Sequence, residues 1–68
     1  MQSISTTETF IPFNQNKAYI LVDFIRIYEE DDYQIMLVEY KGDEYKLTWD
    51  HYNGYYTGLI DNEKGFIP

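Results

Sequence analysis

The alternation of apolar and polar positions along the chain predicts a series of short β-strands. Lys17–Tyr28 is dense in Ile, Val, Tyr and Phe, which suit the pleated surface of a sheet. Tyr33–Tyr40 and Tyr55–Ile60 have the same composition, and Tyr45–Trp49 alternates strictly between the two classes. No segment has the apolar period of a helix of any length. The pattern predicts an antiparallel all-β domain of four or five strands, the fifth being the short apolar segment 66–68.

Acidic residues, glycine and asparagine mark the turns between these strands. The four consecutive acids Glu29–Asp32 end the first apolar run, and Asn53-Gly54 is a dipeptide typical of β-hairpins. The segment Lys41–Glu44 admits two interpretations. It forms either a tight hairpin with Gly42 first in the turn, which makes a plain meander, or a turn of a more curled barrel.

Residues 1–16 are predicted to form a flexible N-terminal arm in front of one small β domain at 17–68. The arm is rich in Ser, Thr, Asn and Gln and contains one apolar cluster, Phe10–Phe13. Pro12 lacks the N–H that a central strand needs, so we expect this cluster to lie outside the sheet. We expect its two phenylalanines to fold back over the core, and docking on a partner is the alternative.

The first two strands have apolar side chains on both faces. In the first strand, one face holds Ile20, Val22 and Phe24, and the other holds Leu21, Ile25 and Ile27. A flat sheet would leave one of these faces in water. We therefore expect the sheet to curl into a small barrel, and burial of the second face in a homodimer or larger assembly is the alternative.

Composition excludes several classes of protein. The chain has 68 residues, 12 acidic against 5 basic side chains, a net charge of −7 and no cysteine. It has room for one small core and cannot form a disulfide or a thiolate metal site. The acidic balance argues against direct nucleic-acid binding, which needs clustered Lys and Arg. With neither a secretory signal nor a membrane-spanning segment, we expect a soluble cytoplasmic protein, in the host cytoplasm if a phage encodes it.

The chain lacks a combination of residues suited to catalysis. His51 is the only histidine, and the two serines, Ser3 and Ser5, lie in the predicted arm. The carboxylates cluster in turns instead of facing each other across a cleft, and Glu29–Asp32 lacks the alternate spacing and central Gly of a calcium-binding loop. We therefore expect no enzyme activity, no cofactor and no metal site.

Three segments of the chain resemble the SH3 family. Lys41-Gly42-Asp43, Gly54-Tyr55-Tyr56-Thr57-Gly58 and Gly65-Phe66-Ile67-Pro68 follow one another at the family's usual intervals, and Leu21-Val22-Asp23-Phe24 is similar to its Ala-Leu-Tyr-Asp-Tyr segment. The resemblance covers residues 21–68 and implies an SH3-like barrel. It also implies that Tyr55, at the position where the family usually has Trp, binds a proline-rich peptide with its neighbouring aromatics.

Charge is predicted to gather at one end of the barrel, because successive turns of a meander alternate between the two ends. The first and third turns share an end and carry five carboxylates. In the other turns, Lys41 and Lys64 partly offset the negative charge of the acids. We expect that acidic end to be either a solubilising surface or a protein-binding patch. The residues assigned to the patch are Glu29, Glu30, Asp31, Asp32, Tyr33, Asp50, Tyr52 and Tyr55.

In size, charge and composition the chain resembles small inhibitors encoded by phages and mobile elements, including anti-CRISPR and anti-restriction proteins. That resemblance implies a non-catalytic inhibitor that imitates DNA and occupies the surface of a basic, nucleic-acid-binding partner. The alternatives are an SH3-like peptide-binding module and a structural subunit of a homo-oligomer.

Overall fold

The computed structural model describes residues 6–68, which form six antiparallel strands closed into a barrel. The strands are β1 (Thr7–Pro12), β2 (Ile20–Glu30), β3 (Tyr33–Tyr40), β4 (Asp43–Asp50), β5 (Tyr55–Ile60) and β6 (Glu63–Ile67). Each strand pairs with the next in chain order, and β6 pairs with β1. The prediction of a small antiparallel all-β barrel is confirmed. The connectivity is a closed meander, whose shape is compatible with an SH3-like barrel.

Strand β1 lies in the segment that we expected to be an arm, and for residues 7–12 that expectation is wrong. Thr7–Phe10 pair with β2, and Ile11 and Pro12 pair with β6. Pro12 is tolerated because β1 has already ended its pairing with β2 there, and the N–H of Phe13 donates to the Lys64 carbonyl at 2.9 Å. Of the two phenylalanines expected to fold over the core, Phe10 is buried in it, whereas Phe13 remains 45% exposed. The first five residues of the predicted arm lie outside the described part of the chain.

Three of the hairpins turn through two residues that both have positive φ, as a type I′ turn requires. The pairs are Asp31-Asp32 (53° and 69°), Lys41-Gly42 (52° and 83°) and Asp61-Asn62 (54° and 65°). The segment 41–44 is thus the tight hairpin, with Gly42 as the second turn residue and not the first. The hairpin predicted at Asn53-Gly54 is present, but its loop has four residues, 51–54, and its Gly54 has φ of 75°.

A β-bulge between Phe24 and Arg26 changes the faces of β2. Before the bulge, Val22 and Phe24 point into the barrel. The extra residue is Ile25, so Ile27 lies opposite the buried Met36 instead of pointing outward as predicted. The inner face of β2 is buried by closure of the barrel, but Leu21 and Ile25 on the other face remain exposed, at 55% and 39%.

The core is made of apolar side chains that point into the barrel from all six strands. It consists of Phe10, Val22, Met36, Val38, Leu47, Tyr56, Ile60 and Ile67. Two outward residues of β3, Ile35 and Leu37, are also buried. On the neighbouring strand β2, Tyr28 pairs with Ile35 and Arg26 pairs with Leu37. The Arg26 guanidinium lies 4.9 Å from the centre of the Tyr28 ring. Tyr28 and Arg26 thus lie beside the two buried residues in the sheet.

Candidate functional site

The sheet divides at one end of the barrel and leaves a cleft there. The β3–β4 pairing stops at Ile35 and Thr48, but β2–β3 pairing continues to Glu30 and Tyr33. Likewise, β4 continues to pair with β5 as far as Asp50 and Tyr55. The two hairpin tips therefore separate and enclose an open cleft of about 500 Å³. Its walls are Glu29, Asp32, Tyr33, Gln34, Thr48, Trp49, Asp50, His51 and Thr57.

Three carboxylates face this space, which we call the acidic cleft. Glu29 and Asp32 come from the tip of the β2–β3 hairpin, and Asp50 comes from the end of β4. Within residues 6–68 no Lys or Arg lines the cleft. The topology therefore brings together acids that are about twenty residues apart in the chain, and the cleft concentrates negative potential between its walls.

Asp50 also organises the loop that forms one wall of the cleft. Its carboxylate accepts hydrogen bonds from the Tyr52 N–H at 2.9 Å and from the Asn53 N–H at 3.2 Å. The Asn53 side-chain amide donates a third, at 2.9 Å, and the Gly54 N–H donates to the Asp50 carbonyl at 2.7 Å. The bond from the Asn53 side chain is the main cause that lowers the pKa of Asp50, because hydrogen bonds favour the ionised form. Asp50 thus stays charged while it holds the loop.

Glu30 lies beside the acidic cleft and is partly neutralised by Lys46. The ammonium of Lys46 is 3.4 Å from the Glu30 carboxylate, and both side chains are about half exposed. The hydrogen bond and the charge of Glu30 raise the pKa of Lys46. An ion pair this exposed contributes little to stability. Its main effect is to reduce the negative charge available at Glu30.

Aromatic side chains form the apolar part of the acidic cleft. Trp49 packs edge-on against the buried Tyr56 with ring centroids 4.9 Å apart, yet 37% of its surface remains exposed. Tyr33 stands on the opposite wall and is largely exposed. Trp49 lies two residues after the core residue Leu47 and therefore on the same face of β4. The divided sheet leaves Trp49 in the wall of the cleft instead.

The eight residues that the sequence assigned to a binding patch are placed at four locations. Glu29, Asp32, Tyr33 and Asp50 line the acidic cleft, whereas Glu30 and Asp31 flank it on the β2–β3 hairpin. Tyr52 projects from the loop tip and stacks on His51, with ring centroids 5.6 Å apart. Tyr55 lies outside the cleft and packs against Phe13 and Phe66.

Sequence reasoning missed several residues of the cleft wall. Gln34, Thr48, Trp49 and Thr57 lie within the predicted strands, and His51 was considered only as a candidate for catalysis. Their positions depend on where the β3–β4 pairing stops. The strand pattern continues past that point on both strands and carries no signal for it.

The carboxylates and aromatic rings of the acidic cleft both have the chemistry to attract cationic groups. In the part of the chain that the structure describes, no three His, Asp or Glu side chains form a cluster that could hold a metal. Ionised carboxylates accept hydrogen bonds from Lys and Arg, and an aromatic face attracts the same groups.

Comparisons with protein-family models, curated proteins and solved structures found no match for this chain. Among residues 6–68, no helix is long and apolar enough to cross a membrane.

Proposed function

We propose that this protein is a non-catalytic inhibitor that binds the nucleic-acid-binding surface of a basic partner protein through its acidic cleft. The supporting observation is the cleft itself, where Glu29, Asp32 and Asp50 stand beside Trp49 and Tyr33 in a space open to solvent. Surfaces that bind phosphates present clustered Lys and Arg side chains. Carboxylates at the cleft can receive those side chains in place of phosphates.

The aromatic walls add affinity and shape to this charge. An Arg side chain that enters the cleft can pair with Asp32 and stack on Trp49 or Tyr33 at once. Tyr and Trp also supply large contact areas at little entropic cost. In its narrowest form, the proposal is a phage-type inhibitor of the anti-CRISPR or anti-restriction kind that acts as a DNA mimic.

The test compares two variants that change net charge equally at opposite ends of the barrel. The cleft variant is Glu29→Gln with Asp32→Asn, and the control is Asp43→Asn with Glu44→Gln at the start of β4. Tagged proteins capture a partner from host lysate, and the captured protein is identified and titrated with the single Trp, Trp49, as fluorescence reporter. We expect the cleft variant to bind at least about tenfold more weakly and with a flatter salt dependence.

Competition with duplex DNA completes the test. The inhibitor hypothesis requires that a short duplex and this protein displace each other from the partner. If the cleft variant and its control bind the partner equally well, the acidic cleft is not the binding site and serves only to keep the protein soluble. A captured protein that DNA cannot displace would rule out nucleic-acid mimicry.

A peptide-binding function is the second candidate, because the half-buried Tyr55 lies in an aromatic group that includes the exposed Phe13. The ring of Tyr55 is 4.5 Å from that of Phe66, and Phe13 completes the group. This candidate predicts that Tyr55→Ala abolishes binding of a proline-rich peptide while the cleft variant retains it. The two functions use different surfaces and are therefore separable by these variants.

A further inference from the structure

An apolar group lies on the outside of the barrel next to the acidic cleft. It consists of Phe13, Tyr55 and Phe66, and we call it the aromatic cluster. The Phe66 ring lies 5.3 Å from the Phe13 ring and 4.5 Å from the Tyr55 ring, centroid to centroid. Phe13 remains 45% exposed. Rings that are packed together before binding lose little conformational freedom when a partner covers them.

Strand pairing places the aromatic cluster beside the acidic cleft. Thr57 lines the cleft and pairs with Phe66 across β5 and β6. Asp50, which also lines the cleft, pairs with Tyr55 across β4 and β5. The hydroxyl of Thr57 donates to the Gly65 carbonyl at 2.8 Å, so the polar group at this junction is already bonded within the barrel. The cleft and the cluster are therefore adjoining parts of one surface.

The two parts of this surface differ in charge. Three carboxylates line the acidic cleft, and no Lys or Arg among residues 6–68 lines it. In the same part of the chain, the outward positions of β1, β5 and β6 hold no carboxylate, and their single cation, Lys64, lies near the turn at Asp61-Asn62. A partner that fits both parts has cationic side chains at one end of its contact and apolar side chains at the other.

The distance across this surface sets the length of the segment that can cover it. From β4, in the wall of the cleft, to β1 the sheet crosses β5 and β6, which amounts to three strand spacings or about 14 Å. An extended chain advances about 3.3 Å per residue. About four residues therefore separate a side chain in the cleft from one at the far side of the cluster.

We infer that the acidic cleft and the aromatic cluster together bind an extended segment of the partner protein, with Arg or Lys in the cleft and apolar side chains about four residues away on the cluster. The inference rests on the proposed function, since it takes the cleft as the binding site for a basic partner, and it adds the class of segment recognised. Charge complementarity selects the cationic end, and the rings without carboxylates select the apolar end. Both ends joined in one segment should bind more tightly than either end alone.

Three synthetic peptides of about seven residues test the inference with the full chain. The joined peptide has two Arg at one end and two Leu at the other, separated by Gly and Ser. Ser replaces the Leu pair in the cationic peptide and the Arg pair in the apolar peptide. NMR titration at about 50 mM NaCl measures each affinity and locates each peptide through the Trp49 indole N–H in the cleft and the Phe66 amide in the cluster. We expect the joined peptide to bind at least about tenfold more tightly than either of the others.

Two variants assign the ends of the joined peptide. Phe13→Ser should lower its affinity to about that of the cationic peptide, whose own affinity should not change. Leu21→Ser is the matched control, because it removes an exposed apolar side chain from β2. Glu29→Gln with Asp32→Asn should weaken both peptides that contain Arg, most strongly at low salt. Circular dichroism checks the fold of each variant, and the peptide series on the native chain depends on none of them.

The outcomes separate this inference from the proposed function. Equal affinities of the joined and cationic peptides, with shifts confined to the cleft, would overturn the inference and leave the proposed function in place. Arg-containing peptides that cause no shift at the cleft would contradict both. An apolar peptide that binds as tightly as the joined one would assign the cluster to a different partner. A mass of twice 8.2 kDa in sedimentation, returned to 8.2 kDa by Phe13→Ser, would assign it to a second copy of the chain.

Discussion

At the scale of single residues, the unusual feature is a tight turn made of two acids. Asp31 and Asp32 have φ of 53° and 69°, a left-handed conformation that costs free energy for residues other than glycine. They are adjacent like charges as well. The turn at Asp61-Asn62, at the opposite end of the barrel, has nearly the same geometry. Substitutions in these two turns can therefore be compared, because they should change stability alike but only those at Asp31-Asp32 should change binding at the acidic cleft.

Conversion of either turn to Asn-Gly should stabilise the protein. We expect Asp31→Asn with Asp32→Gly, and equally Asp61→Asn with Asn62→Gly, to raise the free energy of unfolding by about 1 kcal/mol. Only the first variant removes a carboxylate from the acidic cleft, so only it should weaken partner binding. Urea denaturation followed by Trp49 fluorescence measures the stability. Destabilisation by both variants would contradict the turn assignment.

Asp50 makes the stability of the β4–β5 loop depend on pH. Hydrogen bonds from Asn53 and Tyr52 lower its pKa below the ordinary value of 3.8, so the folded state binds fewer protons than the unfolded state. The contribution of Asp50 is complete above that value and is lost as the pH falls through the lowered pKa. We expect the stability difference between the native chain and Asp50→Asn to shrink as the pH falls through that range.

An NMR titration of the Tyr52 and Asn53 amides checks this prediction at the site. In the native chain, both amide shifts should move as Asp50 becomes protonated. In Asp50→Asn they should be independent of pH over the same range. Equal movement in both proteins would assign the titration to another group.

At the scale of elements, closure of the barrel depends on how β1 changes partners. It pairs with β2 through Phe10 and with β6 from Ile11 onward. Gly65 lies opposite Pro12 at this junction and lets the Phe10 ring enter the core. A Cβ at Gly65 would overlap the Ile11 carbonyl and would lie 2.7 Å from the Phe10 ring. Since backbone atoms meet there, neighbouring side chains cannot relieve the overlap.

Gly65→Ala should therefore destabilise the barrel at its closure. We expect a loss of about 2–3 kcal/mol, at the upper end of the usual cost of overpacking. The control is Lys64→Ala, whose side chain points to solvent on the same strand and which should change stability by less than about 0.5 kcal/mol. Urea unfolding measures both. A Gly65→Ala variant as stable as the native chain would mean that β6 and β1 can separate at little cost.

At the scale of the whole molecule, carboxylates outnumber cationic side chains, and three of the carboxylates line the acidic cleft where β3 and β4 separate. The excess of carboxylates repels itself in the folded state. Salt should screen that repulsion and stabilise the fold.

Thermal unfolding checks this expectation. Raising NaCl from about 10 mM to about 200 mM should raise the unfolding midpoint by about 3 °C, which corresponds to about 0.5 kcal/mol. The measurement is made at low protein concentrations, where the midpoint does not depend on concentration. Glu29→Gln with Asp32→Asn should show a smaller increase. A midpoint that falls with salt would show that attractive ion pairs such as Lys46–Glu30 outweigh the repulsion.

The local pattern was sufficient for strands that are rich in β-branched and aromatic residues and end at clear turns. Tyr33–Tyr40 and Tyr55–Ile60 have the bounds that the pattern predicts. The acidic turn was recognisable as well, because four consecutive acids cannot continue an apolar strand. Pairing of β1 was not predictable, since Pro12 is acceptable only where pairing with β2 has already ended.

The sequence by itself determined an all-β chain with strong negative charge, because composition and alternation are local properties of the residues. Its connectivity placed Glu29–Asp32 and Asp50 at one end, since turns of a meander alternate. Only the tertiary structure decided that Trp49 joins those acids in a cleft and that Tyr55 does not. Both outcomes depend on where strands pair and part, which is set by contacts between residues far apart in the chain.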